Sequence, residues 1–547
     1  MIKAAIERSL PEGAKLVTPP NPAMGDIAVE LFHLAKARQT SPVTIANELK
    51  PTIQCLDGVL SADVAGPYLN VKLDRAFMIE SLLSAYTDGS LYHVDIGYGR
   101  HALIEHTSIN PNASPHIGRA RNAIIGDSIS RILRFVGYDL DVHYYVNDMG
   151  KQIAMLALAC KDDPNVSFDD ILGIYVEAST RLKEDSSYEQ EVFEYLKKFE
   201  EGDSQVQKEF HFIVDKCVVG QSNILKGINI SYDTFDYESS FVHDEELDKL
   251  ISKLQDDGIA FVDEHDRLVV DLQKIGFLRE EGRYYVIKRA NGSTMYGYRD
   301  IAYHIYKARQ CPDPETGFVI LGEDHKLYFE QLSLLLKHFG YTPPKVIHYS
   351  FISLKDSKMS TRQGNVVLLE DFLEEVKGKV AERFTKGSDN ADAIQRIAIG
   401  AVRFNIIKVK PNSSITFDWD AALSLEGDTC PYVQYSCVRA KKIVADAGDL
   451  ARNLNLKGVP DSMWELAKCL SSFKEAIEVS CEHMNPARIA QYLLELCQKF
   501  NSFYANVPIL GNEDDAIKYV SIQLCKLTST TIEKGLDILG IEVPEYM

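Results

Sequence analysis

The stretch Ala102-Leu103-Ile104-Glu105-His106-Thr107-Ser108-Ile109-Asn110-Pro111-Asn112-Ala113-Ser114-Pro115-His116-Ile117-Gly118-Arg119 carries a short apolar strand through a loop into a helix. Ser114-Pro115 reads as the helix opening, because serine caps orphan amides and proline has its φ preset at the first helical position. Apolar residues then recur at Ile117, Ala120, Ile124, Ile125, Ile132 and Val136, the spacing of one helical face. His116 and Gly118 therefore fall in a first turn, where free N–H groups and the helix dipole favour an anion such as a triphosphate. Gly118 has no side chain, so a flat base or ribose can approach its backbone. His116 and Arg119 stand three apart on one face, and both can reach phosphate oxygens. Alone, the segment is an ordinary strand, loop and helix with a surface histidine.

Far downstream, Lys355-Asp356-Ser357-Lys358-Met359-Ser360-Thr361-Arg362-Gln363-Gly364-Asn365 gathers three cations and three hydroxyls around a Gly-Asn turn. Such a loop can follow negative charge onto a pyrophosphate leaving group as an α-phosphate is attacked. By itself it is a solvated basic turn. Together, in this order, the two segments make His116, Gly118, Arg119, Lys358, Met359, Ser360 and Arg362 a candidate phosphate-handling set, whose catalytic role is what the resemblance described below implies.

The chain has 547 residues, too many for one core, so about two to four domains are expected. Apolar content of 45% and charged content of 25% are those of a globular protein. No run of eighteen apolar residues and no basic-then-apolar leader is present, so no membrane association is expected and a cytoplasmic location is the default. The ten cysteines form no Cys-x-x-Cys pair and no metal spacing with histidine, which predicts reduced thiols and no tightly bound metal. Net charge is −20, an awkward value for a nucleic-acid partner. Residues 161–260, however, hold ten Lys/Arg against twenty-four Asp/Glu, so most of the acidity sits in one segment. That segment is expected to face away from any nucleic acid, leaving basic patches elsewhere.

Residues 1–90 read as a small α/β unit, with helices at 28–38 and from 43, and a strand at 66–73. A strand at 101–107, a helix at 115–137 and a strand at 141–146 begin a doubly wound parallel, Rossmann-like sheet that binds ligand at the carboxyl ends of its strands. The acidic, helix-rich stretch of about 160–260 looks like an insertion between the halves of that sheet. The second half is expected to use strands at 284–288 and 318–321. From about 391 to 547 the chain reads as all-helical, with amphipathic runs at 391–407, 431–446, 461–482 and 486–503.

With these elements placed, the two signatures resemble the ATP-binding signatures of class I aminoacyl-tRNA synthetases, and their wording resembles the arginyl branch. Ile104–Pro111, Arg121–Asp127 and Asn147–Gln152 are similar to that family's catalytic wording. So are the Tyr-x-x-Arg-Asp helix at Tyr296–Ala302, and Phe417–Asp420 with Tyr432–Arg439 at the opening of a helical anticodon-binding domain. The ending Leu539–Met547 also fits. The resemblance implies three parts: an additional, tRNA-elbow domain at 1–90, a catalytic domain at 95–390 and an anticodon-binding domain at 391–547.

It further implies an arginine–tRNA ligase that forms arginyl-adenylate from ATP and L-arginine and passes the arginyl group to the 3′ end of tRNA(Arg). Bound tRNA would be needed for the first step, Mg²⁺ would arrive with ATP, and a monomer is the expected form. A guanidinium is a planar fork of donors that needs carboxylates and an aromatic or hydroxyl partner. By resemblance Glu105, Tyr296 and Asp300 hold it, while Ser108, Asn110 and His116 meet the α-amino and carboxylate groups; Asp324, after the strand at 318–321, is a further candidate for the pocket, the alternative being a plain strand-end or helix-cap residue. Without the resemblance, Asp300 reads as paired with Arg299 or capping a helix. Tyr432, Tyr435 and Arg439 share a helix face that in the family meets tRNA, core packing being the alternative for the tyrosines. Other readings are a class I synthetase for a different amino acid, such as the cysteinyl type, or a catalytically impaired tRNA-binding regulator.

The sequence departs from the family pattern in two places. The first signature ends in Arg119 where histidine is usual, and the lysines expected at position 361 or 113 are replaced by Thr361 and Ala113. The hypothesis that follows is that Arg119, with Lys358 and Arg362, supplies the missing positive charge at the triphosphate, the alternative being a neutral exchange. ATP–pyrophosphate exchange by Arg119→Ala and Arg119→His is expected to fall below the parent. Parental rates in both variants would remove the compensation.

Overall fold

Five parallel strands lie in the order Lys345–Tyr349, Gly317–Gly322, His101–Glu105, Asp139–Val146 and Thr234–Tyr237. They belong to a computed structural model that describes residues 2–311, 313, 315–354, 367–384, 390–448 and 450–547. Ala102-Leu103-Ile104 and Phe318-Val319-Ile320 are buried end to end, as parallel strands covered on both faces must be. The chain winds outward from His101–Glu105 in both directions, and at such a reversal a crevice opens beyond the strand's carboxyl end. The α/β class, the parallel sheet and the mainly helical C-terminal segment are those expected from the sequence, but 391–547 is not all-helical: Ile415–Phe417 is a strand, because Ile352–Leu354 offers it a parallel ladder.

The chain divides into two compact units. One comprises residues 1–93, 439–473 and 496–529; the other comprises 94–438, 474–495 and 530–547. In the first, Lys15–Val17, Ile27–Glu30, Tyr68–Leu73 and Val59–Ala65 form an antiparallel sheet in that order. The helix expected at 28–38 is therefore corrected: Ile27–Glu30 is a strand paired on both sides, and the helix is Phe32–Arg38. Ala28 and Val29 are buried there, so ladder pairing overrides a helical pattern that could be seen only locally. Within the same unit the Trp464 indole N–H donates to Asp26 at 2.8 Å, and Arg75 pairs with Asp461 at 2.7 Å. The helix expected at 461–482 is broken at Ser472, giving Asp461–Ser471 and Phe473–Glu482. Ser471 and Ser472 turn their hydroxyls onto the carbonyls of Lys468 and Cys469, competing with the helical ladder.

In the second unit, Tyr284–Lys288 is not a strand of the parallel sheet. It pairs antiparallel with Leu268–Asp271, which pairs with Ala260–Val262. The acidic segment is also less separate than expected. Its helices Phe168–Glu184, Ser186–Glu200 and Ser204–Lys226 pack around Lys151–Cys160, and the chain then returns to the main sheet at Thr234–Tyr237.

One buried ion pair ties this unit together. Arg403, fully buried in the helix Ala391–Ile407, donates to Asp127 of the helix Ile117–Phe135, to the carbonyl of Leu539 at 2.9 Å and to that of Ile228 at 2.7 Å. Asp127 also accepts from Arg131 at 2.8 Å. Removing one partner of such a pair leaves an uncompensated buried charge. Arg403→Met is expected to destabilise this unit by about 3–5 kcal/mol, measured as a lowered urea midpoint. Asp127→Leu combined with Arg403→Met is expected to recover part of that loss; full additivity in the double variant would contradict the coupling.

Candidate active site

The strand His101–Glu105 ends in two residues in the left-handed region, Thr107 at φ 77° and Ser108 at φ 46°. Strain of this kind persists only where neighbours hold it. Thr107 N–H donates to Asn122 Oδ1 at 2.8 Å, its hydroxyl accepts from Tyr232 at 2.7 Å, and Asn122 donates to the carbonyl of Ile320 at 3.2 Å. The turn re-aims Ser108 so that its hydroxyl donates to Glu105 at 3.4 Å and accepts the Tyr145 N–H at 3.3 Å.

The loop beyond is held by the acidic insertion. Gln221, fully buried in the helix Ser204–Lys226, donates to the carbonyls of Asn110 at 3.0 Å and Ala113 at 2.8 Å. Its amide oxygen accepts from Tyr144 at 2.9 Å, and that same hydroxyl meets the N–H and C=O of Ile109 at 3.1 Å each. Asn147 donates to the Asn110 side-chain oxygen at 3.2 Å.

The helix begins two residues later than the sequence predicts, at Ile117 with His116 as N-cap, so Ser114-Pro115 is not its opening. Ile117 N–H donates to the carbonyl of Val367 and Leu369 N–H to that of Pro115, at 3.2 and 2.8 Å, which holds 115–117 extended. Ser114 donates to Glu370 at 2.9 Å instead of capping. The His116 ring lies against Gly118, where a Cβ would come within 3.0 Å of two ring atoms. Burial, then the nearby Arg119 charge, lowers His116 to about 4. Near pH 7 it is therefore a neutral hydrogen-bonding group, and the cation at this helix end is the exposed Arg119. Lys358, Met359, Ser360 and Arg362 lie outside the described residues. The described flanks on either side of them both meet this helix. Val367 and Leu369 bond to residues 115–117 as above, while Arg121 donates to the carbonyls of Ser350 and Phe351 at 2.5 and 2.8 Å.

Beyond Glu105 lies a buried set of charges. Glu105 is ion-paired with Lys307, itself buried and 4.1 Å from the centre of the Tyr303 ring. Asp300 accepts from the Tyr328 hydroxyl, and burial, with Glu105 adding repulsion, raises it to about 6. Its neighbour Arg299 does not pair with it but with Glu238, at 2.5 Å. Tyr296 is 54% exposed at the start of the helix Tyr296–Gln310, 5.3 Å from the Tyr328 ring. Asp324 is exposed in the turn after the strand Gly317–Gly322, its carboxylate lying against Gly322 and 3.8 Å from His325.

Relatives decide what this arrangement belongs to. The model described as tRNA synthetases class I (R), catalytic domain, matches residues 81–419. Arginyl tRNA synthetase N terminal domain matches 1–73, and DALR anticodon binding domain matches 433–547. The arginine–tRNA ligase of Methanocaldococcus jannaschii is 36% identical, over 97% of this chain and 96% of its own. That of Methanothermobacter thermautotrophicus is 34% identical, over 100% and 98%. The chain belongs to the arginyl-tRNA synthetases. The Thermus thermophilus arginyl-tRNA synthetase structure superposes with a TM-score of 0.83 at 27% identity, covering 100% of this chain and 98% of that one. Its activity is that of an arginine–tRNA ligase, ATP-dependent as class I synthetases are; these matches support no other amino acid and no regulator reading.

For an arginyl-tRNA synthetase the residues sequence reasoning missed are the supporting ones. Lys307 falls seven residues after Asp300, on the same helix face as Tyr296 and Tyr303, so helical spacing alone could have singled it out. Gln221 carried no signal, because its partners, two backbone carbonyls and the Tyr144 hydroxyl, lie 111, 108 and 77 residues away. Tyr432 and Tyr435 are half-buried in the helix Cys430–Ala447, neither in the core. Arg439 donates to Asn501 at 2.9 Å and lies over the Tyr504 ring at 5.2 Å.

A proton and a guanidinium compete for Asp300 if it reads the substrate. Because its carboxyl is raised to about 6, the protonated form accumulates below that pH and withdraws an anionic partner. The expected profile of kcat/KM for arginine is level above about pH 7 and falls by about tenfold per unit below about 6. Asp300→Asn is expected to be poor and to lose this limb. A parental profile that stays flat down to pH 5 would contradict the assignment.

Proposed function

We propose that arginine sits beyond the strand His101–Glu105 with its guanidinium against Glu105, Asp300 and Tyr296, and its α-amino and carboxylate groups against Ser108, Asn110 and His116. Asp300 carries the reading: it is a half-buried carboxylate on which the charge of a second one, Glu105, acts, with Lys307 already balancing one of the two charges. A guanidinium completes that balance. Glu105 shares its carboxylate oxygens between Lys307 and the substrate, and Tyr296 covers the entrance.

ATP lies over Gly118, with its phosphates toward His116, Arg119, Lys358 and Met359, and with Ser360 and Arg362 at the leaving pyrophosphate. The arginine carboxylate oxygen attacks the α-phosphorus, the bond to the β-phosphate oxygen breaks, and pyrophosphate departs. The terminal ribose hydroxyl of tRNA(Arg) then attacks the adenylate carbonyl, releasing AMP. Neutral His116 contributes a hydrogen bond rather than charge in either step. Catalysis is positioning plus charge stabilisation, with no covalent enzyme intermediate. Mg²⁺ arrives on the phosphates and is held mostly by them and by water. The helix face of Tyr432, Tyr435 and Arg439 meets tRNA, whose binding rests on local patches and shape. Three functional parts, 1–90, 95–390 and 391–547, act together in a cytoplasmic monomer. No described helix is long and apolar enough to cross a membrane.

ATP–pyrophosphate exchange, run with and without tRNA(Arg) across several amino acids, tests the proposal. Exchange with arginine only when tRNA is present is expected, and Glu105→Gln is expected to lose it. Tight tRNA binding with no exchange for any amino acid would overturn it.

A further inference from the structure

Tyr145 stands in the strand Asp139–Val146, beside the strand that carries Glu105. Its N–H is taken by Ser108, and its ring stacks on Tyr303 at 4.5 Å between centroids. Tyr303 is fixed in turn, its hydroxyl donating to Asp236 at 2.9 Å while Lys307 lies over its ring. The Tyr145 hydroxyl, by contrast, is buried and has no hydrogen-bond partner among the described residues. Burial holds it well above its ordinary range, so it is a neutral phenol, and the charged groups that bear on it are Asp300, Glu238, Arg299 and Glu105. Arg299 and Glu238 are paired with each other. The two remaining carboxylates are those assigned to the guanidinium.

Leaving a buried hydroxyl unpaired is costly, whereas phenylalanine would keep the same stack on Tyr303 without that cost. A phenol retained at this point calls for a partner that arrives with the substrate. The guanidinium supplies one by count: it has five N–H donors, and two bidentate carboxylate contacts use four. We propose that Tyr145 is a specificity-determining residue of the arginine pocket, its hydroxyl oxygen accepting the guanidinium N–H that Glu105 and Asp300 leave over. A lysine ammonium, with three donors at tetrahedral angles, cannot satisfy all three acceptors in the same plane. The inference rests on the placement of the guanidinium between Glu105 and Asp300.

Tyr145→Phe tests it in the full chain with tRNA(Arg) present. The KM for arginine is expected to rise by about ten- to a hundredfold, with the KM for ATP unchanged. The ligand-free thermal midpoint is expected to be unchanged or higher, because an unpaired polar group has been removed. A purely structural hydroxyl predicts the opposite pattern: a lower midpoint, with both KM values moving together. A parental arginine KM in Tyr145→Phe would overturn the inference. Asp300→Asn in the same assay separates the two levels, since a parental arginine KM there removes the pocket placement itself.

Discussion

The side chain of Arg121 organises the end of this enzyme proposed to hold the nucleotide. It is fully buried on the signature helix and donates to five backbone carbonyls: Ser350, Phe351, Lys410, Pro411 and Ser413. Burial lowers its pKa only to about 10, so it stays charged, and the carbonyl dipoles take the place of water around it. Those carbonyls belong to the chain entering Ile352–Leu354 and to the chain entering Ile415–Phe417, which pair in parallel. The helix of the first signature and the strand leading to the second are thus fixed to a common cation. An apolar residue of the same size would remove this donor from all five; the carbonyls of Phe351, Lys410 and Pro411 would keep the backbone N–H groups of Ile415, Ser413 and Ser350, while those of Ser350 and Ser413 would lose theirs.

A comparable economy governs the amino-acid side. Carboxylates are placed where burial disfavours their charge, and each is then met by a cation of the protein or left poised. Glu105 has Lys307 and Glu238 has Arg299. Among the described residues Asp300 has only the Tyr328 hydroxyl for a direct hydrogen bond, and it is raised to about 6. Electrostatics in such a low-dielectric setting act strongly over short distances, which favours a cationic side chain over a neutral one of the same shape.

The acidic insertion also takes part in this architecture, and one of its amides reaches the loop beyond the central strand. Gln221 closes a ring of hydrogen bonds with Tyr144 and residues 109–113, so a helix outside the nucleotide fold fixes the loop that follows the strained turn at Thr107 and Ser108. Its helices otherwise pack on their own neighbour, Lys151–Cys160, which is how a strongly charged segment can be carried without disturbing the sheet.

Local chemistry determined much by itself. The apolar runs at 102–104 and 318–320, the helical period from Ile117 and the two signatures depend only on residues close in the chain, and they were legible as a parallel α/β enzyme of this family. Tertiary structure alone decided where that local reading competes with distant pairing. Ile27–Glu30 is a strand because neighbours on both sides offer ladders, Tyr284–Lys288 joins a separate antiparallel sheet, and residues 115–117 stay extended because 367–369 bond to them. The partners of Glu105, Asp300 and Arg121 lie there too. A buried charge is defined by what surrounds it in space, and sequence order carries no record of that.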